Sequence, residues 1–427
     1  MGSRAIGAHH LASPRRAVPS VAASMTTSPT ELAEWITANG GDVSAVRVDV
    51  GERGRGLFAA RDVAEGEAVL RVPVSLALND GVAPAPYPGA PWSVTLAAAI
   101  LTARDGGEES PWARYVASLP RETIGFANSP AADDPASVEI LFDDAAADEL
   151  ERYLTLLRGS HRAMTMMRHE WTLEEWRWAM SQVHSRTFRV EEPSTASGQT
   201  RRLMVPFVDL LNHDSREGVW QCNWDCEWEL GGGGGDFVVR AKRDVAEGEE
   251  VLVSYGERCD RHFCVFFGFL PEPNPHNGVA LFRNLEEAAE FYEKLCDDGE
   301  NVAEAWSRAR ETAVATVRAE ETSNATATET SSEGDEDREW TSADAEAEEE
   351  AALRVGAHAT VDDRLLRLFE ILSGDADVAV AAARIRAARM LEEMDESDAG
   401  DAGDADEALA LAAAYRRRRR ALLEDIA

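Results

Sequence analysis

The heptapeptide RDVAEGE is written twice in this chain of 427 residues, at 61–67 and again at 243–249. An exact repeat so far apart means either a duplicated module or one local structure used twice, and the flanks decide between them. GERGRGLF lies ahead of the first copy and VPVSLALN beyond it, whereas GGGGGDFVV lies ahead of the second and SYGERCDRHF beyond it. Only the element itself recurs. In each copy an apolar or β-branched run leads to Glu-Gly, where a turn needs positive φ, and then to a second run, AVLRV or EVLVSY. Two strand-turn-strand elements, remote in sequence, are therefore expected in one sheet-rich domain.

Strand-like text with turn signals runs from about Val43 to Leu78 and resumes from Leu203 to Ser254, while Pro91 to Val190 reads as helix. TELAEWIT, from Thr30, predicts a short capped amphipathic helix ending at Gly40-Gly41. Ser110-Pro111-Trp112 predicts a helix with Ser as N-cap and Pro at its first position, stopped by Pro120. Thr172 with Glu175 makes a capping box for a helix from Leu173 to Phe188, whose Trp176, Met180, Val183 and Phe188 lie near one face. The expected organisation is α+β. A sheet-rich body over 31–278 is interrupted by a helical insertion at about 91–190, its two halves rejoining in space, and a mostly helical region over 279–427 follows PEPNPHNG.

The formal charge of −35 is concentrated. Glu320 to Glu350 carries 13 acids against Arg338 alone and Leu391 to Glu407 carries 9 acids and no base, so two short tracts hold −21 of the total. Their composition cannot bury enough apolar surface to become ordered, which leaves solvated loops or acidic partner-binding segments as the readings. The same sign disfavours DNA or RNA, and no apolar run reaches membrane-spanning length, so a soluble protein, monomeric and without membrane contact, is expected. Five cysteines, at 222, 226, 259, 264 and 296, form no even framework and point to a reducing compartment. The spacings 222-x3-226 and 259-x4-264 are too loose for zinc, with Trp224 inside the first pair, so no metal is expected. Residues 1–30 hold Arg4, Arg15 and Arg16 and no acid. That is the composition of a transit peptide, and equally of a disordered leader before a start near Met25; a chloroplast or other organelle goes with the first, the cytoplasm or nucleus with the second. Ile6 stands where a myristoylation signal after Gly2 wants Ser or Thr, which excludes lipidation.

Three short stretches carry residues suited to chemistry, and each has a plain alternative. GERGRGLFA, 51–59, is glycine-rich enough to press backbone against a ligand, or it is a strand-entry turn. VPFVDLLNHDS, 205–215, gathers Asp209, Asn212, His213 and Asp214 after an apolar run, as a site or as a capped turn with a satisfied histidine. VSYGERCD, 253–260, sets Tyr255 where a strand meets a glycine turn, for function or for packing.

Together and in order, GRGLFAARDVAEGEAVLRVP, WARYVASLP, SRTF, VPFVDLLNHDS and GEEVLVSYGERCDRHFCVFFGFLPEPNP resemble the SET-domain methyltransferases that carry a helical insertion, such as the plant Rubisco large-subunit lysine methyltransferase family. The resemblance spans Gly54 to Pro275. It implies a sheet-rich SET fold, a β-clip with a threaded C-terminal segment, followed by a helical substrate-binding domain. It also implies transfer of a methyl group from S-adenosylmethionine to a protein lysine, an in-line displacement that needs no metal. By resemblance, the backbone of Arg53, Gly54 and Arg55 lies along the cofactor, Arg186 binds its carboxylate, and Asn212 and His213 hold the adenine end. Tyr255 is the catalytic residue, orienting the methyl. Asp209 sits on the substrate side, orienting the acceptor or capping the turn before Asn212. AAAYRRRRRALLEDIA, 412–427, then reads as a last helix, with a nuclear signal as the alternative.

The departures concern the acceptor. Phe267 of FGF stands where relatives carry Tyr, and Trp224 falls near another family tyrosine on the substrate side. Some relatives methylate histidine. Two further alternatives are a non-catalytic SET-like binding module and an acidic interaction protein with a vestigial domain.

Overall fold

We describe a computed structural model of the chain over residues 27–192, 199–216, 218–228, 234–296, 303–324, 352–356, 360–396 and 406–427. The expected leader lies outside the described residues up to 26, as do 325–350 and 397–405 of the two acidic tracts. Helix α1 (Pro29–Ala38) begins slightly earlier than expected, with Ser28 and Glu31 in a reciprocal capping box. Strands β1 (Val46–Gly51), β2 (Gly54–Ala59), β3 (Ala68–Pro73) and β4 (Leu78–Asn79) precede the insertion. The insertion holds α2 (Trp92–Gly106), α3 (Ala113–Val116), α4 (Pro135–Glu139), α5 (Asp144–Met166) and α6 (Leu173–Arg186). Then come β5 (Thr187–Glu192), β6 (Gln199–Met204), β7 (Asn212–His213), β8 (Cys222–Trp228), β9 (Gly235–Ala241), β10 (Leu252–Val253) and α7 (Asp260–His262), which runs into a π turn, Phe263–Phe267.

Two helices end sooner than the sequence suggests. The helix expected from Ser110 to Pro120 shrinks to the single turn α3, because Ser118 Oγ donates to the Tyr115 carbonyl at 2.6 Å and closes it. Helix α6 has the expected capping box but stops at Arg186, and Phe188 lies in β5, paired with Leu203.

Sheets form across the insertion. Strand β3 pairs antiparallel with β9, and β4 with β6, so strands from before the insertion lie beside strands from after it. The two RDVAEGE copies do the same with each other. Val63 and Val245 exchange both backbone hydrogen bonds at 2.9 Å. Asp62 accepts from the Glu247 amide at 2.9 Å and Asp244 from the Glu65 amide at 2.9 Å, so each copy caps the other's turn. Gly66 and Gly248 sit at matching positive φ, 81° and 84°, and Arg61–Glu67 and Arg243–Glu249 form equivalent ion pairs. The two copies of the heptapeptide thus bind each other through equivalent contacts.

The C-terminal region has β11 (Gly278–Phe282), α8 (Leu285–Cys296), α9 (Ala303–Asn324), β12 (Leu353–Gly356), α10 (Asp363–Ser373), α11 (Ala376–Glu396) and α12 (Glu407–Ile426). The margins of the acidic tracts are helical: Glu320 ends up on α9, paired with Arg367, and 391–396 belong to α11. Three cores result, one in the sheets, one in the insertion around Tyr115, Tyr153 and Trp176, and one around Phe282 and Phe369. Helix α12 belongs to two of them, contributing Ala412 and Tyr415 to the insertion core and Leu423 and Ile426 to the C-terminal one.

The arginine run of α12 is the electrostatic part of that docking. Arg419, 5% exposed, pairs with the buried Asp143 at 2.8 Å, and Tyr415 donates to the same carboxylate. Burial pushes the Asp143 carboxyl up, but Arg419, Arg261 and the Tyr415 hydroxyl outweigh it and hold the group below its ordinary value. Arg418 reaches the buried Asp260 at 3.1 Å, Arg420 pairs with Asp395 and Glu424, and Arg416 donates to the Met394 carbonyl. Removing one member of a buried pair leaves the other uncompensated, at about 3–5 kcal/mol. Asp143→Ala is therefore expected to lower the urea midpoint sharply, Asp143→Ala with Arg419→Met to recover most of it, and Arg417→Ala, at the exposed position of the run, to change little. Equal midpoints for Asp143→Ala and Arg417→Ala would show that the pair does not hold α12 in place.

Candidate active site

The segment from Val205 to His213 is shaped by a strained residue. Phe207 is buried and held at φ 70°, a left-handed conformation that costs a non-glycine residue about 1–3 kcal/mol. This kink throws the chain into a short turn, Val208–Leu210, and delivers Asp209, Leu210 and Asn212 to the wall of an open cavity of about 570 Å³. Strand β2 contributes Arg55, the end of α6 contributes Ser185 and Arg186, and the far wall is the segment 117–122 of the insertion with Ile124. Tyr255, Phe267 and Phe269 complete it.

Six residues singled out from the sequence, Arg55, Arg186, Asp209, Asn212, Tyr255 and Phe267, thus line one cavity. The Arg186 guanidinium is held by three hydrogen bonds on two sides. Nη1 donates to the Asp209 carbonyl at 2.9 Å and to Asp209 Oδ2 at 3.3 Å, and Nε donates to Gln182 Oε1 at 3.2 Å. Nη2 has no protein partner among the described residues, which suits it to a ligand carboxylate. The Asp209 carboxylate is buried, its side chain 4% exposed, and the fully buried Tyr115 donates to the same Oδ2 at 3.2 Å. Burial raises the Asp209 carboxyl above its ordinary value, and Arg186 and Tyr115 offset this in part. Asp209 is thereby tied to Arg186 as well as to the turn before Asn212.

Asn212 donates to Glu250 Oε1 at 2.8 Å and, at 3.4 Å, to the Arg55 carbonyl. A Cβ at Gly56 would stand 2.5 Å from Asn212 Nδ2 and 2.9 Å from Glu250 Oε1, so a larger residue would have to displace the pair these two side chains form. Gly54, at φ 84°, closes the β1–β2 turn. The Arg53 side chain turns away from the cavity, bonding Asp214 at 2.7 Å and Glu250 at 3.1 Å. Its effect on the site runs through Glu250 to Asn212.

His213 lies beneath the cavity wall. Its Nδ1 accepts the Tyr255 amide at 3.0 Å, which requires the proton on Nε2, and Nε2 meets Ser215 Oγ at 2.7 Å. The ring is stacked between Tyr255 and Phe263 at 4.9 and 4.8 Å, and burial pulls its pKa down to about 4, so it is neutral at physiological pH. The Tyr255 hydroxyl donates to the Leu211 carbonyl at 2.6 Å, and burial pushes its pKa up to about 12. It is no base at neutral pH. Its oxygen retains lone-pair capacity on the cavity side.

Trp224 is placed elsewhere. On β8 it shares a face with the buried Cys222 and Cys226 and packs on Phe188 and Phe237 at 5.3 and 5.4 Å, within the sheet core rather than on the cavity. Four contributors had not been singled out: Gly56, Tyr115, Gln182 and Glu250. Gln182 carried a signal, since it precedes Arg186 by four residues on one helix and shares its face.

Residues 54–256 match the family model for the SET domain. The chain is 25% identical over 281 residues to the actin-histidine N-methyltransferase of Canis lupus familiaris, covering 61% of this chain and 46% of that protein. It is 24% identical over 281 residues to that of Xenopus tropicalis, with the same coverage. The chain thus spans about half the length of these curated relatives. Its fold superposes on a structure described as the SET domain of LSMT bound to lysine and AdoHcy with a TM-score of 0.57, at 17% identity, covering 96% of this chain and 91% of that one. A structure of Rubisco LSMT bound to AdoMet gives 0.53 at 16% identity, covering 93% and 90%. With its strands joined across a helical insertion, the chain has the SET-domain fold over the matched residues 54–256.

Proposed function

We propose that this chain transfers the methyl group of S-adenosylmethionine to a lysine nitrogen of a protein substrate. The observation that carries this reading is the convergence of Arg186, Asn212 and Tyr255 on one cavity. The bound cofactor supplies a methyl carbon on a sulfonium, a good leaving group for in-line displacement. The protein supplies binding and alignment. Arg186 Nη2 takes the ligand's carboxylate, Asn212 and the Arg55 backbone take its other end, and Gly56 leaves room for both. The Tyr255 oxygen, its proton committed to Leu211, points electron density at the electron-poor methyl hydrogens. As the nitrogen–carbon bond forms, the carbon–sulfur bond breaks, and the surplus proton on nitrogen leaves to solvent.

Lysine attacks only as the neutral amine, and its free pKa of about 10.4 must be lowered by desolvation and by the adjacent positive charge. Tyr255 and Phe267, with ring centroids 5.5 Å apart, and Phe269 form an aromatic wall that suits a methylated ammonium product. The second reading, a histidine acceptor, is favoured by the names of the curated relatives.

The deciding experiment incubates the purified chain with isotopically labelled S-adenosylmethionine and a lysate, then hydrolyses the labelled proteins. Label in methyl-lysine is the expected result. Label in methylhistidine selects the second reading, and no label with cofactor bound means a binding module. Arg186→Ala or Asn212→Ala is expected to weaken S-adenosylmethionine binding by roughly ten to a hundredfold in calorimetry, the worth of a contact to a charged group. Tyr255→Phe should keep the fold and most cofactor affinity yet slow transfer at least about tenfold, near 1.4 kcal/mol of barrier. A wild-type rate in that variant removes Tyr255 from the chemistry.

A further inference from the structure

One buried side chain bonds both Arg186 and the far wall of the cavity. Gln182, on α6, is 0% exposed. Its amide has only one orientation that satisfies its neighbours: Arg186 Nε is a donor and must meet Oε1, at 3.2 Å, so Nε2 faces the opposite way and donates to the Glu122 carbonyl at 3.1 Å and to Ser181 Oγ at 3.3 Å. Glu122 belongs to the segment that forms the far wall of the cavity. The neighbouring Pro120 carbonyl accepts from Trp178, again on α6, at 2.8 Å. On the other side Arg186 is bonded to Asp209, and Asp209 to Tyr115 at the end of α3, immediately before the same wall. The polar network thus leaves the wall, passes through both cavity charges and returns to the wall's root.

We propose that Gln182 is the positioning residue that couples the two ends of the cavity, so that a ligand drawing on Arg186 also fixes the wall segment 117–124 that faces the aromatic wall. The inference rests on the methyltransferase reading above. Its physical basis is that a guanidinium held by Nε and Nη1 is a rigid plane. When a carboxylate takes Nη2, the whole plane is locked, and the bond to Gln182 carries that restraint through one amide to the Glu122 backbone. The order it implies is cofactor first, acceptor second, because the wall is completed by the first ligand.

Two variants separate coupling from simple structural support. Gln182→Glu keeps an acceptor for Arg186 Nε but loses the donor to Glu122, whereas Gln182→Met keeps the volume and loses both. The readouts are the calorimetric Kd for S-adenosylmethionine and deuterium uptake by the peptide covering 117–124, with and without saturating cofactor. In the wild type, cofactor should slow exchange in 117–124. Gln182→Glu should bind within about threefold of wild type, and Gln182→Met about tenfold more weakly, a charge-assisted bond being lost. In both, saturating cofactor should no longer protect 117–124. Cofactor-dependent protection that survives in either folded variant overturns the proposal, as does its absence in the wild type. A wild-type chain that fails to bind S-adenosylmethionine at all refutes instead the methyltransferase reading on which it stands.

Discussion

The hydrogen bond from the Tyr255 amide to His213 Nδ1 joins the two segments that make the cavity. One runs from Phe207 to His213 and brings Asp209, the Leu211 carbonyl and Asn212. The other follows β10 and brings Tyr255. The parallel ladder between them is only two residue pairs long, Asn212 with Leu252 and His213 with Val253. So short a ladder fixes little by itself, and the imidazole extends it by one more bond. That works only while the ring is neutral with its proton on Nε2, and its sandwich between Tyr255 and Phe263 enforces this by excluding water. A protonated ring would present a second donor to the amide and push Tyr255 away. The neutral histidine is thus a structural requirement for the position of the tyrosine hydroxyl.

Much of this was legible in the sequence because it lies in local signals. The repeated heptapeptide announced two equivalent turns, since Glu-Gly at fixed offset demands positive φ, and both glycines have it. The capping box at Thr172 placed the start of α6 correctly, whereas Arg186, Asn212 and Tyr255 were singled out by the family resemblance, and the fold brings all three to one cavity. That the two heptapeptides bind each other was not legible, because pairing over 180 residues depends on how the insertion closes. Nor was the exchange of roles in the glycine-rich turn, where Arg53 turns away to Asp214 and Glu250 while Gly56 provides the close approach.

The misplaced and overlooked residues share a cause. Trp224 was assigned by position in a stretch of variable length, and the alternation of β8 shows what linear position could not: a side chain in register with Cys222 and Cys226 faces the sheet core. Gln182 was overlooked because helical faces are read by their apolar members, and a buried amide interrupts that pattern without changing it. Buried polar groups are satisfied in native structures, so such an interruption points to partners supplied from elsewhere in the chain. Here the partners were an arginine one turn away and a carbonyl 60 residues earlier, and only the second needed the tertiary structure to be seen. The arginine run of α12 lies on the last helix, as expected, and what the sequence does not show is its pairing with Asp143, Asp260 and Asp395, none of them adjacent to it in the chain.

Self-complementary segments carry a cost that dissimilar ones do not. The atoms that Asp62 and Val63 offer to 243–249 are the atoms Asp244 and Val245 offer in return, so a second chain presents to each copy a surface chemically identical to the one it already holds. What favours the partner within the chain is its effective concentration, set by how firmly the insertion holds residues 61 and 243 close together. If that closure loosens while strands remain intact, the same bonds can be satisfied between two molecules, each completing the other's body, and the product is a closed exchanged dimer rather than an aggregate. In this fold the insertion therefore does more than build a wall of the cavity: its closure sets how strongly each heptapeptide prefers the copy in its own chain.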